Sequence, residues 1–171
     1  MRLGYTVLYI ALIVFVNWSF DAIPLVDLPG GDKWPPAAII TGLIFVARDF
    51  SQREIGHKVI LAMLLAGAIS YVMAGPVVAG ASVAAFLVSE FADWTIYSFT
   101  GRRFSDRILI SSAVSTPLDS LVFLYLIGHA SVTAVVLMTA SKMVGALMIW
   151  WLIRRREIAA EARAAQPVTS P

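Results

Sequence analysis

The residues of this chain that could do chemistry are carboxylates and cations set into otherwise apolar sequence. Glu90 and Asp93 stand three apart in "SEFADWTIYS", on one helical face, with Phe86 a turn before and Tyr97 a turn after. Arg48 and Asp49 interrupt "GLIFVARDFSQ", Asp119 and Ser120 interrupt "SSAVSTPLDSLVF", and Lys142 interrupts "VLMTASKMVGAL". An ionisable group at mid-bilayer costs about 2.5 to 3.5 kcal/mol on insertion scales, so these groups are expected to converge inside a bundle. There a carboxylate can accept, and Lys or Arg can donate, hydrogen bonds to a small polar solute. A plainer alternative is helix glue, with Lys142 paired to Asp119 and Arg48 to Asp49 or Glu90. Ser or Asn would supply that at lower desolvation cost.

The surrounding composition explains why lipid is the relevant solvent. Of 171 residues 59% are hydrophobic and only 14% charged, unlike a soluble domain. The length holds a single bundle: residues 1–156 read as an all-α transmembrane domain. Residues 157–171 read as a cytoplasmic tail that begins as a helical extension and loses order at Pro167. The absence of cysteine excludes disulfides, thiolate nucleophiles and thiolate metal sites. His57 and His129 fall on opposite sides of the expected membrane, so neither a two-histidine metal site nor a Ser-His dyad is expected at its centre. No cofactor, metal or nucleic-acid partner is implied.

A crossing of about 30 Å of hydrocarbon needs roughly 20 apolar helical residues. By that measure residues 3–20 form a first segment, too long and too lacking in a small-residue cleavage pattern for a signal peptide. Residues 37–56 form a second, polar at its far end. From residue 59 to 89 no charge occurs, and a single helix there would extend about 46 Å, so Gly75 and Pro76 are expected to break it into segments three and four. Segment five, 108–127, carries Pro117 and is expected to kink. Segment six is 131–153. Four-residue spacings of Ala62, Ala66 and Ser70, and of Gly80 and Ala84, suggest close helix approach.

Six crossings place both termini on one side. Arg2, Arg48, Arg53, Lys58, Arg102, Arg103, Arg107, Arg154, Arg155, Arg156 and Arg163 fall on or toward one face and Lys33 on the other. The cation excess marks the cytoplasmic side, so both termini are expected there. Trp34, Trp94, Tyr97, Trp150 and Trp151 sit near segment ends, as interfacial aromatics do. Helical rise puts Glu90 about 21 Å from Pro76, Asp119 about 18 Å into segment five, Lys142 about 17 Å into segment six and Arg48 about 18 Å from Pro36. Asn17 joins the candidates by depth alone.

The segments "FVARDFSQREIG", "ASVAAFLVSEFADWTIYSF" and "SSAVSTPLDSLVF" resemble those of the queuosine precursor transporter family, small six-helix bacterial membrane proteins also grouped as vitamin uptake transporters. The resemblance covers about half the chain. It is most specific at Arg48-Asp49, at Ser89-Glu90 with Asp93, and at Asp119-Ser120. It implies a multi-pass protein of the bacterial inner membrane carrying 7-deazaguanine bases such as 7-cyano-7-deazaguanine, with lipid around it and a homodimer admitted. A guanine-like ring offers adjacent N–H donors beside a carbonyl acceptor. Glu90 or Asp119, with Lys142 or Arg48 and Phe86 or Phe123, would match that edge and face.

Glu90 and Asp119 are the candidates for proton coupling, since a carboxyl group alternately exposed to two sides can carry a proton across. Asp93, deeper, is expected to pair with an arginine or guard the exit. Two other functions compete. One is a substrate-capture subunit needing an ATP-driven partner. The other is an intramembrane diacid enzyme, for which Asp93 and Asp119 would have to share a proton.

Overall fold

The computed structural model describes residues 3–27, 33–74 and 78–164. Arg2, the expected break at Gly75 and Pro76, and the tail from residue 165 with Pro167 lie outside the described residues. Six α-helices account for nearly all the rest: α1 Gly4–Ala22, α2 Ala38–Ile55, α3 Val59–Met73, α4 Ala79–Phe99, α5 Phe104–Leu126 and α6 Val132–Ala164. Four stretches are long and apolar enough to cross a membrane: α1, the run Ala38–Met73 that includes α2 and α3, α5 and α6. α4 has a spanning length of 21 residues. It falls outside that set because Glu90 and Asp93 dilute a helix otherwise made of small and apolar residues.

Although Ala38–Met73 is nearly continuous helix, the chain reverses within it. Thr6 at the start of α1 bonds Glu54 at the end of α2, whereas Asn17 near the end of α1 bonds Ser70 near the end of α3. α2 is therefore antiparallel to α1, and α3 parallel to it. The reversal is a 3-10 turn, Gly56–Lys58, entered at Gly56 with φ 63°, a backbone conformation that favours glycine. Similar pairs orient the rest. Arg107 bonds the carbonyl of Tyr97 and Ser89 bonds Asp119, so α4 and α5 are antiparallel. Asp119 with Lys142, and Ser105 with Glu157, make α5 and α6 antiparallel.

The bundle's surface is apolar, as lipid requires, and its charged groups are drawn inside. Val7, Leu61, Leu65, Val72, Tyr125 and Val136 are exposed, while Arg48, Asp49, Glu90, Asp93 and a row of α5 hydroxyls from Ser111 to Ser120 are buried. Tyr9, Ile13 and Val16 of α1 pack against Ile44 and Ala47 of α2 and Ala62, Met63 and Ala66 of α3, which forms the main apolar core.

The tightest helix approach lies where no spacing rule pointed. A Cβ on Gly42 would collide with the backbone carbonyl of Lys142, and one on Gly145 would sit 3.2 Å from Leu43 and 3.3 Å from the Ile39 carbonyl. α2 and α6 thus touch backbone to backbone, and this contact sets where Lys142 enters the bundle. Gly80, expected at such a contact, faces open space instead. Gly42→Ala is expected to lower stability by about 1–3 kcal/mol through overpacking. Gly80→Ala should change it by less than about 0.5 kcal/mol. Thermal unfolding of the purified variants in detergent measures both.

Two features of the ends escaped the sequence. A two-stranded antiparallel hairpin, β1 Val26–Asp27 and β2 Lys33–Trp34, stands in the Pro- and Gly-rich connection. Trp34 Nε1 donates to Ser141 Oγ at 2.8 Å, pinning β2 to α6 next to Lys142. At the other end α6 continues through residue 164, as the expected helical extension, but its Glu157 accepts, unforeseen, from the Ser105 amide at 3.2 Å and its hydroxyl at 2.5 Å. α5 has no side-chain cap of its own, so α6 supplies one. Pro117 lies inside α5, where it cannot donate to the carbonyl a turn earlier.

Candidate functional site

The alternation of helix direction gathers the late residues of α1, α3 and α5 with the early residues of α2, α4 and α6 at one end. A cavity of about 160 Å³ occupies this half of the bundle, and every helix contributes to its wall. Asn17, Phe20 and Asp21 come from α1, Thr41 from α2 and Ser70 from α3. Ser82 and Phe86 come from α4, Asp119 and Phe123 from α5, and Lys142 from α6. Phe20 and Asp21 are exposed, so the cavity reaches the surface at the end of α1.

Its charged feature is one ion pair. Lys142 Nζ is bonded to Asp119 Oδ2 and donates to Ser120 Oγ at 3.1 Å, while Ser89 Oγ donates to Asp119 Oδ1 at 3.1 Å. An ammonium has three donors and a carboxylate about four acceptor sites, so both retain capacity for an occupant. Asn17 is already engaged: its Nδ2 donates to the Ile13 carbonyl at 2.8 Å and its Oδ1 accepts from Ser70 at 3.1 Å. Aromatic rings on two helices, Phe86 and Phe123, complete a wall suited to a small planar polar solute.

The other half of the bundle is closed by a second group. Arg48 pairs with Asp49 at 2.7 Å, with Asp93, and with Glu90 at 3.6 Å, and all four side chains are fully buried. Arg48 is also bonded to Gln52 and lies 5.5 Å from the Tyr97 ring centre. Tyr9 donates to Glu90 Oε2 at 3.1 Å, and Ser111 to Asp49 at 3.3 Å. Toward the same end Arg107 stacks 3.8 Å over Tyr97 and donates twice to its carbonyl.

The expected convergence is thus a separation into two sites. Asn17, Phe86, Asp119 and Lys142 line the cavity, and Ser120 sits behind it as a partner of Lys142. Arg48, Asp49, Glu90 and Asp93 are not part of that wall. Gly42 and Arg48 are about 9 Å apart along α2, which is enough to put them at different levels. Asp93 and Asp119, the pair a diacid enzyme would need, are held by different cations.

Tyr9, Gln52 and Ser70 were missed. Tyr9 lies 81 positions from its partner Glu90, and nothing local to either marks the contact. Ser70 had been assigned only to packing. Asp21 carried a signal, as a carboxylate at the end of the first apolar segment. Among the described residues no cluster of His, Cys, Asp and Glu could hold a metal ion. Comparison of the chain with family models, curated proteins and solved structures gives no match.

Proposed function

We propose that this chain is a bacterial inner-membrane importer of 7-deazaguanine precursors of queuosine, crossing the membrane six times with both termini in the cytoplasm. The observation that carries the proposal is the six-helix cavity with the Asp119–Lys142 pair on its wall beside Phe86 and Phe123. A cavity of about 150 Å³ holds a benzene ring. This one, of about 160 Å³ and reaching the surface, is on the scale of a small ring solute. The carboxylate accepts from the guanine-like N–H edge and the ammonium donates to the adjacent carbonyl. The substrate class proposed here rests on the resemblance of residues 45–56, 81–99 and 111–123 to the queuosine precursor transporters.

The cation distribution supports the orientation. Arg53, Lys58, Arg102, Arg103, Arg107 and Arg154 lie at the end opposite the cavity, and this cation excess supports a cytoplasmic assignment for that end, with the cavity mouth external.

The test is uptake by cells that neither make nor import 7-deazaguanines, expressing this chain alone. The expected result is restoration of queuosine in their tRNA when 7-cyano-7-deazaguanine is supplied, with loss of at least about tenfold in Asp119→Asn, equivalent to about 1.4 kcal/mol. Restoration only after an ATP-driven partner is added would replace the importer with a capture subunit.

A further inference from the structure

The geometry points to the Arg48–Asp49–Glu90–Asp93 cluster as a proton-binding site, distinct from the cavity, that forms the cavity's floor and opens when its proton leaves. The first argument is charge. Three fully buried carboxylates face the Arg48 guanidinium, leaving two negative charges unmatched when all are ionised. Arg107 supplies a second cation from α5, although its guanidinium is committed to the Tyr97 carbonyl. Even with Arg107 counted, one negative charge remains. From α1 the cluster meets Tyr9, from α2 Gln52, from α4 Tyr97 and from α5 Ser111. Among the described residues α3 brings it no charged group, and the only cation of α6 within the bundle, Lys142, is paired with Asp119.

The second argument is unfilled hydrogen bonding. Glu90 Oε1 and Asp93 Oδ1 are buried without a hydrogen-bond partner. Ser115 Oγ, also fully buried, faces Asp93 and is placed to donate to it. Ionised carboxylates only accept, whereas a carboxylic acid also donates, so a proton on this cluster gives those oxygens partners as well as removing charge. Among the described residues no group of three or more His, Cys, Asp and Glu could hold a metal ion.

The third argument is position. Ser89 and Glu90 are consecutive on α4: Ser89 bonds Asp119 in the cavity wall, and Glu90 bonds Tyr9 and Arg48 in the floor. An occupant that competes for Asp119 pulls on the same turn of α4 that carries Glu90. Loss of the proton to water on the cytoplasmic side restores the surplus charge, and repulsion between Asp49 of α2 and Glu90 and Asp93 of α4 parts the floor. The coupling half of this mechanism rests on the transport function proposed above, whereas the proton site does not.

Infrared spectroscopy of the purified chain reads the proton without any substrate. At neutral pH the parent is expected to show a deuterium-sensitive carbonyl band of at least one protonated carboxylic acid. That band should fall by about half or more in Glu90→Gln or Asp93→Asn and persist in Asp119→Asn. Its absence from the parent, or its loss in Asp119→Asn alone, overturns the site, and the parent spectrum decides this even if a cluster variant does not fold. The second arm is uptake of 7-cyano-7-deazaguanine into liposomes under an imposed pH gradient. Gradient-driven accumulation in the parent and its loss in Glu90→Gln support the coupling, and uptake indifferent to the gradient overturns it. An intact band with no uptake in any condition overturns the transport function and leaves the proton site standing.

Discussion

Arg48→Met is expected to cost about 3–5 kcal/mol, enough to remove most folded protein from the membrane, because it strands three buried carboxylates without their shared cation. Methionine nearly fills the volume of the arginine stem, so the loss reports charge rather than a cavity. Neutralising the partners should recover much of it: Arg48→Met combined with Asp49→Asn and Asp93→Asn is expected to be more stable than Arg48→Met alone. Thermal unfolding followed by size-exclusion chromatography in detergent measures the series. An Arg48→Met protein as stable as the parent would mean that the cluster is not held by its arginine.

The second large effect belongs to the cavity pair. Lys142→Met and Asp119→Leu should each destabilise by about 3 kcal/mol, the low end for a broken buried pair, because Asp119 keeps 14% of its side-chain surface exposed. The double variant should lose less than the sum, with a coupling of about 1–3 kcal/mol in the cycle. Strictly additive losses would contradict the pairing. Uptake separates structure from function here: the double variant is expected to remain folded and to carry nothing, since both groups that meet the solute are gone.

Much of this arrangement was legible because helical rise is fixed by the backbone. Counting 1.5 Å per residue placed Asp119 and Lys142 at matching depths, and the two do pair. The same count put Asp93 deeper than Glu90, on the way to an arginine, and Arg48 binds it. What depth cannot give is rotation about the helix axis. Asp49 and Arg48 are adjacent and point about 100° apart, yet both join the cluster, Arg48 through Glu90 and Asp93 of α4 and Asp49 through Ser111 of α5. That rotation is set by the contact of Gly42 with Lys142, and a lone glycine in an apolar run has no distinguishing pattern. For the same reason Glu90 was expected in the cavity and is instead held by Arg48 and Tyr9 outside its wall. The hairpin at residues 26–27 and 33–34 was hidden by its length, since two-residue strands leave no alternation to read. The cap on α5 was hidden by distance, because its acceptor, Glu157, is 52 positions away on another helix.

The central claim is that the Asp119–Lys142 cavity takes a guanine-like solute across the membrane without help. The most direct measurement is uptake of labelled 7-cyano-7-deazaguanine by the purified chain in liposomes, with no other protein present. The account predicts saturable entry into the lumen, competed by other 7-deazaguanines and lost in Asp119→Asn protein that is still folded and inserted in equal amount. Entry no faster than in empty liposomes, or entry unaffected by Asp119→Asn and by Lys142→Met, would contradict it.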